Sequence, residues 1–149
     1  MPPLRKHVLF VCIGNICRSP MAEALAKKYG TDVIVASSAG LSPALQTHVM
    51  TRAVLKEKNV DLGDHLPRRL ADLKPSNYDL IVNMSGSKLP DNLGVPVENW
   101  PVADPMGRSD DTFRKCRDEI EMLVMRLILR IRTGKFDKAI DSQAASSRQ

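Results

Sequence analysis

Aromatic residues are scarce in this chain: one Trp, two Tyr and three Phe make up 4% of its 149 residues. So few rings argue against a platform that stacks nucleic-acid bases. The net charge of +5 does not favour nucleic acid either, because the basic residues are dispersed apart from Arg68-Arg69 and residues 126–138. A basic surface also steers anionic substrates toward a cleft. We therefore expect an anionic substrate and no nucleic-acid partner.

Long apolar runs and disulfide patterns are missing as well. No stretch is apolar enough to cross a membrane, and Met-Pro-Pro-Leu-Arg-Lys-His does not resemble a secretory signal. Three cysteines are too few for a disulfide framework and indicate a reducing cytoplasm. Cys12 and Cys17 have no second ligand pair with metal-binding spacing. We expect a cytoplasmic protein with no membrane partner and no cofactor.

The most informative stretch of the chain is residues 8–20. It reads Val-Leu-Phe-Val-Cys-Ile-Gly-Asn-Ile-Cys-Arg-Ser-Pro. The apolar run predicts a strand that is buried on both faces and ends at Cys12. Ser19 suits a helix N-cap and Pro20 the first helical position, so a helix is expected to follow.

The loop between that strand and that helix suits a tetrahedral oxyanion such as phosphate. Successive backbone N–H groups curled around a point, together with a helix N-terminus, supply donors on all sides. Gly14 and Asn15 tolerate the unusual backbone angles of such a curl. Arg18 can grip two oxygens in a bidentate fork, and the Cys12 thiolate is the competent nucleophile. The residues assigned to oxyanion binding are Ile13, Gly14, Asn15, Ile16, Cys17 and Ser19.

Separate structural explanations exist for the two reactive residues. Cys12 alone could be a small buried residue at a strand end, and Arg18 a solvated charge. These explanations do not account for a strand, glycine, asparagine, arginine and helix start that coincide within one short segment. The combination favours chemistry at this loop.

The segment from Cys12 to Pro20 resembles the active-site loop of the low-molecular-weight protein tyrosine phosphatases. The related arsenate reductases share this loop and the fold. Further matching segments extend the resemblance over most of residues 7–133. These are Ser37-Ser38-Ala39-Gly40, His65-Leu66-Pro67-Arg68-Arg69, Tyr78-Asp79-Leu80-Ile81-Val82-Asn83-Met84 and Asp104-Pro105. The resemblance implies that Ser38 hydrogen-bonds Asn15 and that His65 and Arg68 brace the loop. A lone histidine is more often structural, so we do not expect His7, His48 or His65 to be catalytic.

Asp104-Pro105 has two interpretations. By itself an Asp-Pro pair is typical of a turn. Its resemblance to the family's Asp-Pro motif implies a general acid, which protonates the departing oxygen while Cys12 attacks phosphorus and then activates water. Arg18 and the loop N–H groups would hold the charge that a metal holds elsewhere.

Cys17 also has two interpretations. The resemblance implies a reversible disulfide that protects Cys12, and a buried packing residue explains it equally well.

Two departures bear on the substrate. Phosphotyrosine phosphatases of this family carry aromatic rings after Asp-Pro and after Ser-Ala-Gly, but residues 106–108 and 41–46 contain none. Residues 99–107 are more similar to arsenate reductases. The thioredoxin-coupled members place a cysteine pair after the third strand, and residues 83–89 lack it. Arsenate reduction would therefore need an external thiol.

Strands alternating with helices predict an α/β fold. We expect a single-domain three-layer sandwich, residues 1–133, with a four-stranded parallel sheet flanked by helices and a flexible tail over residues 134–149. The predicted strands are residues 8–11, 33–37, 80–84 and 97–100. The predicted helices are residues 20–29, 47–58 and 110–132, with a short helix or turn at 69–73.

The resulting hypothesis is a phosphomonoester hydrolase of the low-molecular-weight protein tyrosine phosphatase type. It would act on a phosphorylated protein or a small phosphomonoester as a monomer or weak dimer, and would bind phosphate or arsenate. Arsenate reduction with an external thiol is the alternative. A third hypothesis is an inactive phosphate-binding regulatory module, against which the complete set Cys12, Arg18 and Asp104 counts.

Overall fold

The computed structural model describes residues 4–137 and has the predicted alternation of strands and helices. In chain order the elements are β1 (Lys6–Cys12), α1 (Arg18–Tyr29), β2 (Ile34–Gly40), α2 (Val49–Lys56), 3-10 helices at Leu70–Asp72 and Pro75–Asn77, β3 (Leu80–Asn83), β4 (Val97–Asn99) and α3 (Asp110–Arg132). Each predicted strand and α-helix is present, and the bounds of α3 match the prediction.

The strands form one parallel sheet in the order β2-β1-β3-β4. Residues 8–11 of β1 are completely buried, because this strand has a neighbour on each side and packing on both faces. The predicted parallel sheet is thus confirmed. Its topology places the end of β1 at Cys12, beside the ends of β2 and β3, where parallel sheets bind their ligands.

The sheet separates two apolar layers. On one face α1, α2 and α3 enclose the larger core, to which α3 contributes Ile120, Val124, Leu127 and Ile128. On the other face loops and a 3-10 helix cover a smaller cluster of Leu9, Val11, Ala39, Leu70, Ile81 and Leu89. The arrangement is the predicted three-layer α/β sandwich, with the α-helices of the larger core on one face.

Two helix starts differ from the prediction. Helix α1 begins at Arg18, so Cys17 holds the N-cap position and Ser19 lies inside the first turn. The Ser19 hydroxyl makes its hydrogen bonds with buried polar groups and is unavailable as a cap. Helix α2 begins at Val49 instead of residue 47; Val49 is 72% exposed, whereas Thr51 is buried.

The structure describes four residues beyond the domain boundary predicted at residue 133. Residues 135–137 are helical, and Phe136 is only 2% exposed within the larger core. Its ring is the apolar anchor that holds this segment against the domain. The rest of the predicted tail, residues 138–149, lies outside the described residues. Among residues 4–137, no helix combines the length and the apolar character that crossing a bilayer requires.

Candidate active site

In the loop after β1, the carbonyl groups of residues 12–16 point outward, and each accepts a hydrogen bond. The acceptor–donor pairs are Cys12 O with Leu41 N at 3.1 Å, Ile13 O with Ser42 N at 2.9 Å, Gly14 O with Ala44 N at 3.1 Å, Asn15 O with His65 Nε2 at 3.0 Å, and Ile16 O with His48 N at 3.2 Å. A trans peptide directs its N–H opposite to its C=O. The N–H groups of residues 13–17 are therefore turned away from these partners, toward the centre of the loop.

The curl of this loop depends on two backbone features. Asn15 has a φ of 55°, in the left-handed region that the sequence analysis expected at this position. Gly40, at the end of β2, lies against the outside of the loop. A Cβ there would come within 2.6 Å of Ile13 O and 2.9 Å of Asn15 N.

Asn15 is the centre of a buried network behind the loop. Its Nδ2 donates to Ser19 Oγ at 2.8 Å and to Ser38 Oγ at 3.0 Å, and its Oδ1 accepts from Arg68 N at 3.0 Å. The hydrogen bond to Ser38 is the one that the family resemblance implied. His65 and Arg68 both contact the loop, which agrees with the bracing expected of them.

Ser19 connects this network to the thiol. Its Oγ lies 3.0 Å from Cys12 Sγ. A hydroxyl at this distance accepts a hydrogen bond from a thiol S–H or donates one to a thiolate. Ser19 is fully buried, and its contact with a bound oxyanion remains a prediction.

Arg18 is held by one edge of its guanidinium. Nη1 donates to the carbonyl oxygens of Met84 and Val102, the latter at 3.0 Å. Nε is buried and has no hydrogen-bond partner in the described part of the chain. Nη2 lies 3.6 Å from Asp104 Oδ2. The Nε–Nη2 edge thus remains for a bidentate ligand, the geometry that a carboxylate or phosphate takes with arginine.

The predicted catalytic residues converge on one pocket of about 210 Å³. Its lining contains Cys12, Ile13, Gly14, Ile16, Cys17, Arg18 and Asp104 from the predicted set, and Ala44 and Met106, which were not predicted. Asn15 and Ser19 are completely buried behind the loop and do not line it. Their side chains support the loop through hydrogen bonds within the network, and the contact of these two residues with an oxyanion remains a prediction.

Asp104 reaches the pocket from the loop before α3. Its Oδ1 accepts the Met106 N–H at 3.1 Å, which closes the turn that an Asp-Pro pair favours. Its other carboxylate oxygen faces Arg18. The two interpretations of Asp104 are therefore compatible, since the same side chain makes the turn and lines the pocket.

The thiols of Cys17 and Cys116 are disfavoured as thiolates. Burial raises the pKa of Cys17 to about 12, and burial likewise raises that of Cys116 on α3 to about 12. Both remain protonated at neutral pH. The two interpretations of Cys17, protective disulfide partner or packing residue, remain predictions.

Other places on the molecule lack this combination of groups. A larger cleft of about 810 Å³ is lined by residues 83, 86–97 and 99–101 and contains none of the predicted site residues. Residues 4–137 hold no group of three or more side chains arranged to ligate a metal. His48 caps α2 through Nδ1, which accepts the Met50 N–H, so it has a structural role.

A parallel α/β sheet that delivers a cysteine into a ring of inward N–H groups, with an arginine behind it, is typical of single-domain proteins that handle tetrahedral oxyanions. The chain belongs to the family "Low molecular weight phosphotyrosine protein phosphatase", whose sequence model matches residues 7–140. Members of this family are cysteine-based enzymes, either phosphatases or arsenate reductases.

Three similar proteins include arsenate reductases and a phosphatase. The chain is 31% identical over 130 residues to a "Glutaredoxin arsenate reductase" from a Synechocystis species, covering 85% of this chain and 98% of the relative. A solved structure described as an arsenate reductase in the phosphate binding state matches with a TM-score of 0.79 and 32% identity, covering 85% of this chain and 98% of that one. The YwlE arginine phosphatase from Geobacillus stearothermophilus matches with a TM-score of 0.78 and 28% identity, covering 89% and 96%.

Proposed function

We propose that this protein is a phosphomonoester hydrolase of the low-molecular-weight protein tyrosine phosphatase type. The observation that carries the proposal is the convergence of Cys12, Arg18 and Asp104 on one pocket. These side chains supply a nucleophile, a bidentate partner for the equatorial oxygens and a proton donor. The inward N–H groups of the loop supply fixed donors for the same oxygens. The three free, buried cysteines favour a reducing compartment, which we infer to be the cytoplasm.

In the first step the Cys12 thiolate attacks phosphorus, and the bond from phosphorus to the ester oxygen breaks. The departing oxygen keeps the electron pair and takes a proton from the Asp104 carboxyl. Arg18 and the loop N–H groups stabilise the charge on the three equatorial oxygens. The products are a cysteinyl-phosphate and the free alcohol or phenol.

In the second step the Asp104 carboxylate accepts a proton from water as the water oxygen attacks phosphorus. The phosphorus–sulfur bond breaks, and its electron pair returns to Cys12. Ser19, with its Oγ 3.0 Å from Cys12 Sγ, is placed to hydrogen-bond the sulfur as it leaves. Inorganic phosphate is released, and Asp104 ends in its starting protonated form.

The rim of the pocket supports a substrate with an apolar group next to the phosphate. Ala44 and Met106 both line the pocket, and Met106 is 48% exposed. None of the lining residues is aromatic. An apolar leaving group would cover part of this surface on binding, which a bare oxyanion cannot do. The substrate class we propose is a phosphorylated protein or small phosphomonoester with such a group.

Arsenate reduction is the second candidate, favoured by the similarity to two arsenate reductases. The Cys12 thiolate first joins arsenate as an arsenic–oxygen bond breaks and that oxygen leaves as water, and a second thiol must then attack the Cys12 sulfur. The sulfur–arsenic bond then breaks, its electron pair stays on arsenic, which leaves as arsenite, and Cys12 is oxidised to a disulfide. Residues 83–89 lack the cysteine pair of the thioredoxin-coupled arsenate reductases, so in this proposal the attacking thiol is external. Another thiol would then reduce the disulfide.

A stopped-flow assay with p-nitrophenyl phosphate separates the hypotheses. Hydrolysis through a cysteinyl-phosphate predicts turnover, with a nitrophenolate burst equal to the enzyme concentration when the second step is slower. The Cys12→Ser variant should bind phosphate without turning over substrate. Full turnover by that variant would exclude the mechanism. Arsenate-dependent thiol oxidation without ester hydrolysis would support the second candidate, and phosphate binding without either activity would support a regulatory module.

A further inference from the structure

Thr51 is a fully buried polar residue in the first turn of α2. Its hydroxyl donates to the carbonyl oxygen of Ile16 at 2.7 Å. The same carbonyl also accepts the His48 N–H at the longer distance of 3.2 Å. The α2 N-terminus therefore holds the last carbonyl of the loop that points outward, and the shorter of the two hydrogen bonds comes from a side chain.

The peptide between Ile16 and Cys17 carries the last loop N–H before α1. Since the peptide is planar and trans, fixing Ile16 O outward directs the Cys17 N–H toward the pocket that Cys17 lines. Cys17 is the N-cap residue of α1, and its N–H lies before the first helical residue. It is thus free for a ligand.

We propose that Thr51 is a positioning residue of the oxyanion site, which keeps the Cys17 N–H aimed at the bound oxyanion through its hydrogen bond to Ile16 O. This role rests on the proposed function, because it requires that the loop hold an oxyanion. Without the hydroxyl, the His48 N–H alone holds the carbonyl, so the peptide can tilt while the loop remains folded. We then expect a clear loss of oxyanion affinity and only a small loss of folding stability.

The test compares Thr51→Val, which keeps the shape and removes the hydroxyl, with the wild type. The probe is inorganic phosphate, measured as an inhibitor of p-nitrophenyl phosphate hydrolysis and directly by calorimetry. We expect the phosphate dissociation constant to rise about 5- to 10-fold, as loss of one hydrogen bond predicts. We expect kcat/KM to fall by a similar factor. Thr133→Val removes a hydroxyl that donates to Leu129 O far from the pocket, and should leave both values unchanged.

A second pair, Thr51→Ser and Thr51→Ala, differs only in the hydroxyl and decides the matter if Thr51→Val does not fold. Serine should restore phosphate affinity close to that of the wild type, and alanine should not. Lower thermal stability with an unchanged phosphate dissociation constant would overturn the positioning role and leave Thr51 as a structural residue. Failure of the wild type itself to bind phosphate would instead overturn the proposed function.

Discussion

The Asp104 carboxylate lies 3.6 Å from the Arg18 guanidinium, although the two residues are 86 positions apart. Arg18 begins α1, and Asp104 belongs to the loop that precedes α3. The contact places this carboxyl group in the lining of the same pocket that contains Cys12.

Replacing Asp104 with Asn removes the proton donor while keeping a side chain of similar shape. We expect kcat for phenyl phosphate to fall about 100-fold, within the range of general acid catalysis. The loss in the leaving-group step should be smaller for p-nitrophenyl phosphate, because nitrophenolate departs without a proton. Burst kinetics on both substrates measure this. Asp72→Asn, in an exposed pair with Arg69, is the control. Equal burst-rate losses on the two substrates would contradict the acid role.

Replacing Gly40 with Ala should disturb the loop rather than the core. The new Cβ would meet backbone atoms of Ile13 and Asn15 at 2.6 and 2.9 Å, so the loop itself must shift. A shift of that size predicts about a 100-fold loss of kcat/KM.

Gly30→Ala is the matched control for this change. Its Cβ would meet the side chain of Ile128 at 2.8 Å, so it should lower stability by about 1–3 kcal/mol and spare kcat/KM. Kinetics and urea unfolding of both variants distinguish the outcomes. The explanation fails if Gly40→Ala matches wild-type kcat/KM.

Shortening Met106 tests the apolar rim. Met106→Ala should lower kcat/KM for aryl phosphates about 5-fold, as loss of roughly 1 kcal/mol of apolar burial predicts. Inhibition by inorganic phosphate should not change, because phosphate has no apolar part. Met122→Ala, on the exposed face of α3, should change neither value. Weaker inhibition by phosphate in Met106→Ala would show that this side chain acts on the oxyanion instead.

Glu98 links β4 to α3 and should make stability depend on pH. Its carboxylate accepts two hydrogen bonds from Arg130 and one from Trp100, and the bonds from Arg130 lower the pKa of Glu98 below its usual 4.5. A lowered pKa in the folded state means that the stabilisation is complete above about pH 4.5 and is lost as the pH falls through the lower, folded value.

At neutral pH we expect Glu98→Gln to lower the free energy of unfolding by about 1 kcal/mol, since the pair is partly exposed. Urea unfolding at a series of pH values should show the difference from the wild type shrinking below about pH 4.5. A difference that stays constant across that range would refute the contribution of this carboxylate.

The sequence predicted the local elements well because their signals are local. The apolar run before Cys12 indicated a buried strand, and the stripe of α3 gave bounds that match the structure. Errors arose where burial overrode a local preference. Ser19 looks like an N-cap, but hydrogen bonds with Cys12 and Asn15 draw it into the interior. Phe136 lies beyond the last periodic residues, yet it packs in the core.

The same contrast between local signals and tertiary packing applies to the residues of the site. Cys12, Arg18 and their loop were recognisable from the sequence alone, since their residue types and spacing lie within one short segment and reflect the chemistry of an oxyanion. Thr51 had no such signal, because it is a threonine within an ordinary helix. Met106 lies in a turn that the resemblance connected with the substrate, but its own contact with the pocket was not predicted. Only the tertiary structure brought them to the loop, because the parallel sheet and the packing of α2 join segments distant in the chain. The local sequence determines the reactive groups of the loop, whereas the packing of the helices and loops determines their orientation and the shape of the pocket.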